Sequence, residues 1–182
     1  MKARVVDFDE TYSSQLFGET EMPDEWLEKD VFAPCEFFLC KLDLAEFGGG
    51  EAETLASDGY LYIFVDMPSK IGKARAIVRF FDGEPDACTD FNDGYFDDEP
   101  CGYSLVFDER GTMGGTAVSE AAVSGAGKSF VTVNERNCGD LTLIAIGKEY
   151  LPEDLGISEL AVIVDADAAK KGDFSSVRIV AK

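Results

Sequence analysis

Catalysis near neutral pH draws on a short list of side chains, and histidine, the commonest general base, does not occur among the 182 residues of this chain. That removes Ser-His-Asp and Cys-His catalysis and every histidine-based metal site. Five cysteines remain: Cys35, Cys40, Cys88, Cys101 and Cys138. Their number is odd, no C-x-x-C pair occurs, and their spacing does not supply the close thiolate ligands of a zinc site. Cys40 lies inside an apolar run, where a free thiol packs as a small hydrophobe. No base that would activate a thiolate is apparent beside any of the five.

Two partial motifs fail on inspection. Gly125-Ala126-Gly127-Lys128-Ser129 ends like a phosphate-binding loop, but the required first glycine falls on Ala122. The following residues, Phe130-Val131-Thr132-Val133, are strand-forming, so no helix N-terminus would receive a phosphate. We read a glycine-rich turn, with no phosphate site at Lys128. Asp90-Phe91-Asn92-Asp93-Gly94 hints at a calcium loop. Its glycine comes fifth rather than sixth, and Cys101 stands where the closing glutamate belongs. Carboxylates are so numerous that no pair stands out as an acid and base. Trp26 reads as a packing anchor, and Gly111, Gly114 and Gly115 as a tight turn. No cofactor or metal is expected.

The charge is the one strong positive signal. Thirty-six acidic against 16 basic residues give a net charge of −20, yet 46% of the chain is hydrophobic and 14 residues are Phe. A chain that apolar folds, so the charge lies on its surface. Such a surface repels nucleic acid and anionic membrane and attracts basic proteins. The charge peaks between Asp82 and Glu99, where eight carboxylates stand among 18 residues without a Lys or Arg. This stretch reads as a long acidic loop. Within it Asp90, Asp93, Asp97, Asp98 and Glu99 are the candidate contacts for a basic protein partner. The start of the sequence lacks the apolar run of a signal peptide, and no stretch approaches the roughly 20 apolar residues of a membrane span. With five thiols, these features give the expectation of a cytoplasmic location. Nothing speaks to oligomeric state.

Elements that would carry this surface follow a strand-and-turn rhythm. Strands are expected at Ala3–Phe8, Glu36–Leu42, Tyr60–Val65, Ala74–Phe81, Cys101–Phe107, Ser129–Val133, Leu141–Ile146, Ser158–Val164 and Ser175–Ala181. Short helices are expected at Pro23–Lys29, with its acids early and its base late, and at Asp167–Gly172, with an Asp cap and a Gly stop. Leu61–Asp66 matches Leu160–Asp165, and Val78–Phe81 matches Val177–Val180, both at an offset of 99 residues. The fold expected is mainly β, a single domain over 1–182. It is internally duplicated, with two packed antiparallel sheet units at about 36–82 and 139–182, joined by the acidic loop and a glycine-rich central segment.

Several segments in order resemble the YwqG-like family of bacterial domains of unknown function. They are Phe17-Gly18 with Pro23 and Trp26, then Phe38-Leu39-Cys40-Lys41-Leu42-Asp43-Leu44, then Gly59-Tyr60-Leu61-Tyr62-Ile63-Phe64, then Met113-Gly114-Gly115, and the tail from Leu160 to Val177. The chain departs from that family's pattern at Thr116-Ala117, at Lys41 and in the final strand Val177–Val180. The resemblance implies a mainly β, duplicated fold and brings no catalytic residues. Together with the residue inventory it points to a non-catalytic binding module, of the immunity type if the partner is a basic toxin. The alternative is an enzyme working through carboxylates or a cysteine.

Overall fold

The structure, a computed structural model, describes residues 2–29, 31–32, 36–47, 55, 58–66, 74–91, 102–107, 130–151 and 157–182. Twelve strands appear among them. They are β1 (Lys2–Asp7), β2 (Gln15–Leu16), β3 (Thr20–Met22), β4 (Glu36–Asp43), β5 (Tyr60–Asp66), β6 (Arg75–Phe81), β7 (Ala87–Thr89), β8 (Tyr103–Phe107), β9 (Phe130–Asn137), β10 (Asp140–Gly147), β11 (Glu159–Asp165) and β12 (Arg178–Ala181). Two short helices accompany them, α1 (Asp24–Glu28) and α2 (Ala166–Ala169).

Ten strands form one antiparallel sheet in the order β12-β11-β10-β9-β1-β8-β2-β4-β5-β6. Its edge strands β6 and β12 lie against each other, although no ladder joins them among the described residues. The sheet therefore curls until its edges meet, forming a barrel with one unzipped seam. One face turns inward. Leu61, Ile63 and Val65 of β5 share a single buried cluster with Leu160, Val162 and Val164 of β11, as strand alternation requires. Ala3, Leu16, Leu105 and Val133 bring the intervening strands into the same core.

The two ends of the sheet share one irregularity. In β4 a bulge between Phe38 and Cys40 turns both Leu39 and Cys40 inward. In β10 a bulge between Thr142 and Ile144 does the same for Leu143 and Ile144. Each sits at the same point of its hairpin, against Ile63–Phe64 and Val162–Ile163. An extra residue on one strand sharpens the bend there, which is what a curling sheet needs. The third strands differ. Ile63 faces Val78, whereas Val162 faces Ile179 and not Val177, a slip of two residues from the sequence match. The connection into β12 contains α2, capped by Asp165 through the Ala168 N–H at 2.8 Å. A slip of two preserves the inward face, so Val177 and Ile179 still pack on the core.

Several expectations change. The two units are not separate facing sheets. They are the two ends of one sheet, joined through β9, β1, β8 and β2. The cap of α2 is Asp165, not Asp167. The acidic stretch is not all loop, because β7 pairs with β3 inside it. Outside the barrel that small sheet and α1 cover an aromatic layer on β4 and β5. Met22, Phe38, Tyr62 and Phe64 are buried there, with Trp26 edge-on to Tyr62 at 5.2 Å. Trp26 is thus the packing anchor expected.

Candidate functional site

Two of the described thiols, Cys40 and Cys88, are held away from the thiolate. Cys40 is fully buried, and burial pushes its thiol far up, away from the reactive thiolate. Cys88 is exposed, but it donates to Glu19 Oε1 at 3.2 Å, and that bond, then burial, then the carboxylate's charge push it up as well. Cys138 is exposed and free. Cys35 and Cys101 lie outside the described residues. No group of three His, Cys, Asp or Glu side chains that could hold a metal exists among the described residues.

Lys41 was hidden by its position within an apolar run. It sits on the outer face of β4, only 5% exposed, with Nζ 3.7 Å from Glu21 Oε2 and 5.7 Å from the Tyr60 ring centroid. Burial pulls its ammonium below the usual lysine range, and Glu21 and Asp43 pull it partly back. Tyr62 donates its hydroxyl to the Glu21 carbonyl at 2.8 Å, which fixes the strand carrying the counter-ion. This arrangement is an ion pair at the margin of the outer layer, between a buried ammonium and a carboxylate whose side chain is 63% exposed.

Of the sequence-derived contact residues, Asp90 follows β7 directly and is exposed. Asp93, Asp97, Asp98 and Glu99 lie outside the described residues, as do Lys128, Gly111, Gly114 and Gly115. Asp82, Glu84 and Asp86 are exposed, and Asp86 Oδ1 accepts the Asp24 N–H at 2.8 Å at the start of α1.

A second acidic feature lies at the turn after β1. Phe8 is 52% exposed and Tyr12 36%, and the exposed carboxylates Asp7, Asp9 and Glu10 surround them in the chain. The turn is tightly held. Asp9 Oδ1 accepts the Thr11 N–H at 2.9 Å, and these bonds to Thr11 hold its carboxyl below the usual range. Fully buried Ser104 accepts the Asp9 N–H at 2.9 Å and donates to the Asp9 carbonyl at 3.1 Å. Glu46 accepts the Ser13 and Ser14 N–H groups, one on each oxygen, at 3.0 and 3.2 Å. Ser14 Oγ in turn accepts the Asp43 N–H at 2.9 Å. Two aromatic rings and three carboxylates are thereby presented on a pre-organised loop, a combination suited to guanidinium and ammonium groups. The sequence reading carried the strand through Phe8 and missed this turn; Asp9-x-Thr11 was its only local signal.

The seam holds a groove of about 720 Å³, walled by β6 on one side and by 172–179 on the other. Alternation sends Ala76 and Val78 inward, with Arg75 outward; across the seam Val177 and Ile179 point inward and Arg178 outward. Arg178 binds Asp140 Oδ2 at 2.6 Å through one nitrogen. Among the described residues no helix is long and apolar enough to cross a membrane. Compared with protein-family models, with curated proteins and with solved structures, the chain matches none.

Proposed function

We propose that this chain is a non-catalytic binding module for a basic protein surface, with the turn at 7–12 as its anchor. The observation that carries the reading is the pair of exposed rings, Phe8 and Tyr12, among three exposed carboxylates on a turn whose backbone Ser104 holds at Asp9 and Glu46 holds at Ser13 and Ser14. Rigid aromatic side chains ringed by complementary charge make binding hot spots at small entropic cost. The net charge of −20 supports the same reading, since it speeds encounter with cations and disfavours nucleic acid and anionic lipid. Asp90, Asp93, Asp97, Asp98 and Glu99 form a second, electrostatic contact in this proposal. The module acts in the cytoplasm. It belongs with the YwqG-like domains, and its two sheet ends descend from one duplicated hairpin unit; the matching bulges at Leu39 and Leu143 support that descent.

The test is capture of partners from a native lysate, followed by binding kinetics of the purified pair. Replacing Phe8 and Tyr12 by Ala should raise dissociation at least tenfold, while neutralising Asp90, Asp93, Asp97 and Asp98 to Asn should mainly slow association. Asp9 is left intact, because it holds the turn. A captured partner whose affinity ignores salt and both sets of substitutions overturns the proposal.

A further inference from the structure

The seam groove breaks the charge pattern of the molecule. In a chain with 36 acidic residues, none of the described side chains lining this groove is an Asp or Glu, and two are Arg. One arginine stands on each wall: Arg75 on β6 and Arg178 at the start of β12. Among the described residues Arg75 makes no ion pair, and Arg178 commits only Nη2 to Asp140. A guanidinium has five donors, so most of both forks stay available. Between the lips the walls are apolar, through Ala76, Val78, Val177 and Ile179. Phe80 is 40% exposed at one end, and Phe174 closes the other wall.

Two ligand requirements follow. The apolar floor favours a hydrocarbon or aromatic body, and 720 Å³ is within the range of small-molecule sites. The guanidinium lips favour an anionic head of planar or tetrahedral oxygen geometry. A cation, which the rest of the surface attracts, has no counter-charge among the described groove residues. We propose that the seam is a binding site for a small amphipathic anion, a carboxylate or sulfonate whose apolar body lies between β6 and β12. Its head is received by Arg75 and Arg178. Among the described residues no ladder joins the edge strands, so the site needs no rupture of sheet hydrogen bonds there to admit its ligand. This site is separate from the turn at 7–12 and stands or falls independently of the basic-partner reading.

The probe is the anionic dye 8-anilino-1-naphthalenesulfonate, set beside its uncharged counterpart N-phenyl-1-naphthylamine. The anionic dye should saturate at one per chain and be displaced by free laurate below its micelle concentration. Joint replacement of Arg75 and Arg178 by Gln should weaken it by about tenfold or more, two charge-assisted contacts being lost. Arg136→Gln removes one positive charge from an exposed site on β9 and should change affinity less than twofold, which separates local from global electrostatics. Ser175→Trp, at an exposed lining position, should block the groove without disturbing the core. Circular dichroism checks that each variant folds. Binding that does not saturate overturns the proposal, as does saturation that survives the double arginine substitution, or equal affinity for the uncharged dye. Co-sedimentation with phosphatidylglycerol vesicles, without displacement of the dye by laurate, would overturn the small-ligand assignment in favour of a bilayer surface.

Discussion

Replacing Arg79 should destabilise the domain more than any other single charge change in the outer layer. Its guanidinium reaches Glu36 through both terminal nitrogens, at 2.9 and 3.3 Å, and donates to the Val31 carbonyl at 3.2 Å. It also stands over two rings, 4.8 Å from the centroid of Phe32 and 4.9 Å from that of Phe64. The side chain of Glu36 is only 5% exposed, and that of Arg79 only 18%. Removing one partner of a buried pair costs about 3–5 kcal/mol, because the remaining charge loses its compensation; partial exposure of Arg79 favours the lower end. The two ring contacts add about 0.5–1 kcal/mol each. Arg79→Ala should therefore cost about 4 kcal/mol. Arg79→Lys keeps the charge but loses the fork and the stacking, and should cost about 1–2 kcal/mol. Glu36→Gln leaves a guanidinium that can still reach water and should also cost about 1–2 kcal/mol. Urea denaturation of the three variants and of the double variant Arg79→Ala with Glu36→Gln gives the coupling directly. A coupling near 2 kcal/mol is expected. A value below about 0.5 kcal/mol would show that the pair is held by its surroundings and contributes little itself.

Leu61→Ala and Leu160→Ala should each cost about 2–5 kcal/mol, and similar amounts, since both side chains are fully buried at matching hairpin positions against Leu42 and Ile146; urea midpoints at constant slope check this. Gly18 and Gly172 share φ of 71°, but a Cβ on Gly18 would meet the Gly102 Cα at 2.7 Å, whereas one on Gly172 meets nothing within 4 Å. Gly172→Ala should cost about 1 kcal/mol and Gly18→Ala clearly more, because backbone must move to admit it; thermal melts of the pair separate the strain of φ from the lack of space. Burial lowers the Lys41 ammonium below its unfolded value near 10.5, so the unfolded chain binds the extra proton between those two pKa values. That contribution makes stability rise with pH across the window. Lys41→Met should remove the rise, and the difference between the two proteins' stabilities from pH 7 to pH 10.5 measures it.

The barrel strands β1, β4–β6 and β8–β12 were legible because Val, Ile, Phe and Tyr runs bounded by Gly, Asp and Pro announce strands directly. Three strands were not. Gln15–Leu16, Thr20–Met22 and Ala87–Thr89 are too short to show alternation, and they exist because neighbours supply their partners. The bulges were invisible for another reason. Phe37-Phe38-Leu39-Cys40 is apolar on both faces, since the barrel core lies on one side and the aromatic layer on the other, so no polar residue marks the break in period. The turn at 7–12 depends on Ser104 and Glu46, which lie 95 and more than 30 residues away in sequence. The seam was equally hidden: Arg75 and Arg178 become neighbours of one groove only after ten strands have curled. The acidic stretch was plain from composition, but composition carries no information on pairing, and β7 went unseen.

The place of β1 in the sheet sets an order on the birth of this protein. β1 is made well before its neighbours β8 and β9, whose paired residues lie about a hundred or more positions later. While the chain leaves the ribosome, β4, β5 and β6 can zip together from local contacts, but Ala3 and Val5 must wait with both backbone edges unmatched. Closing such distant pairs is slow and leaves adhesive edges exposed in the meantime. Among the described residues, strand β1 is also the one hydrogen-bonded link in the sheet between β12-β11-β10-β9 and β8-β2-β4-β5-β6. A truncation that removes it would not fray an end of the sheet; it would divide the barrel wall into two slabs, each with a new raw edge. Any segment joined ahead of Lys2–Asp7 should therefore leave this strand free to enter the wall.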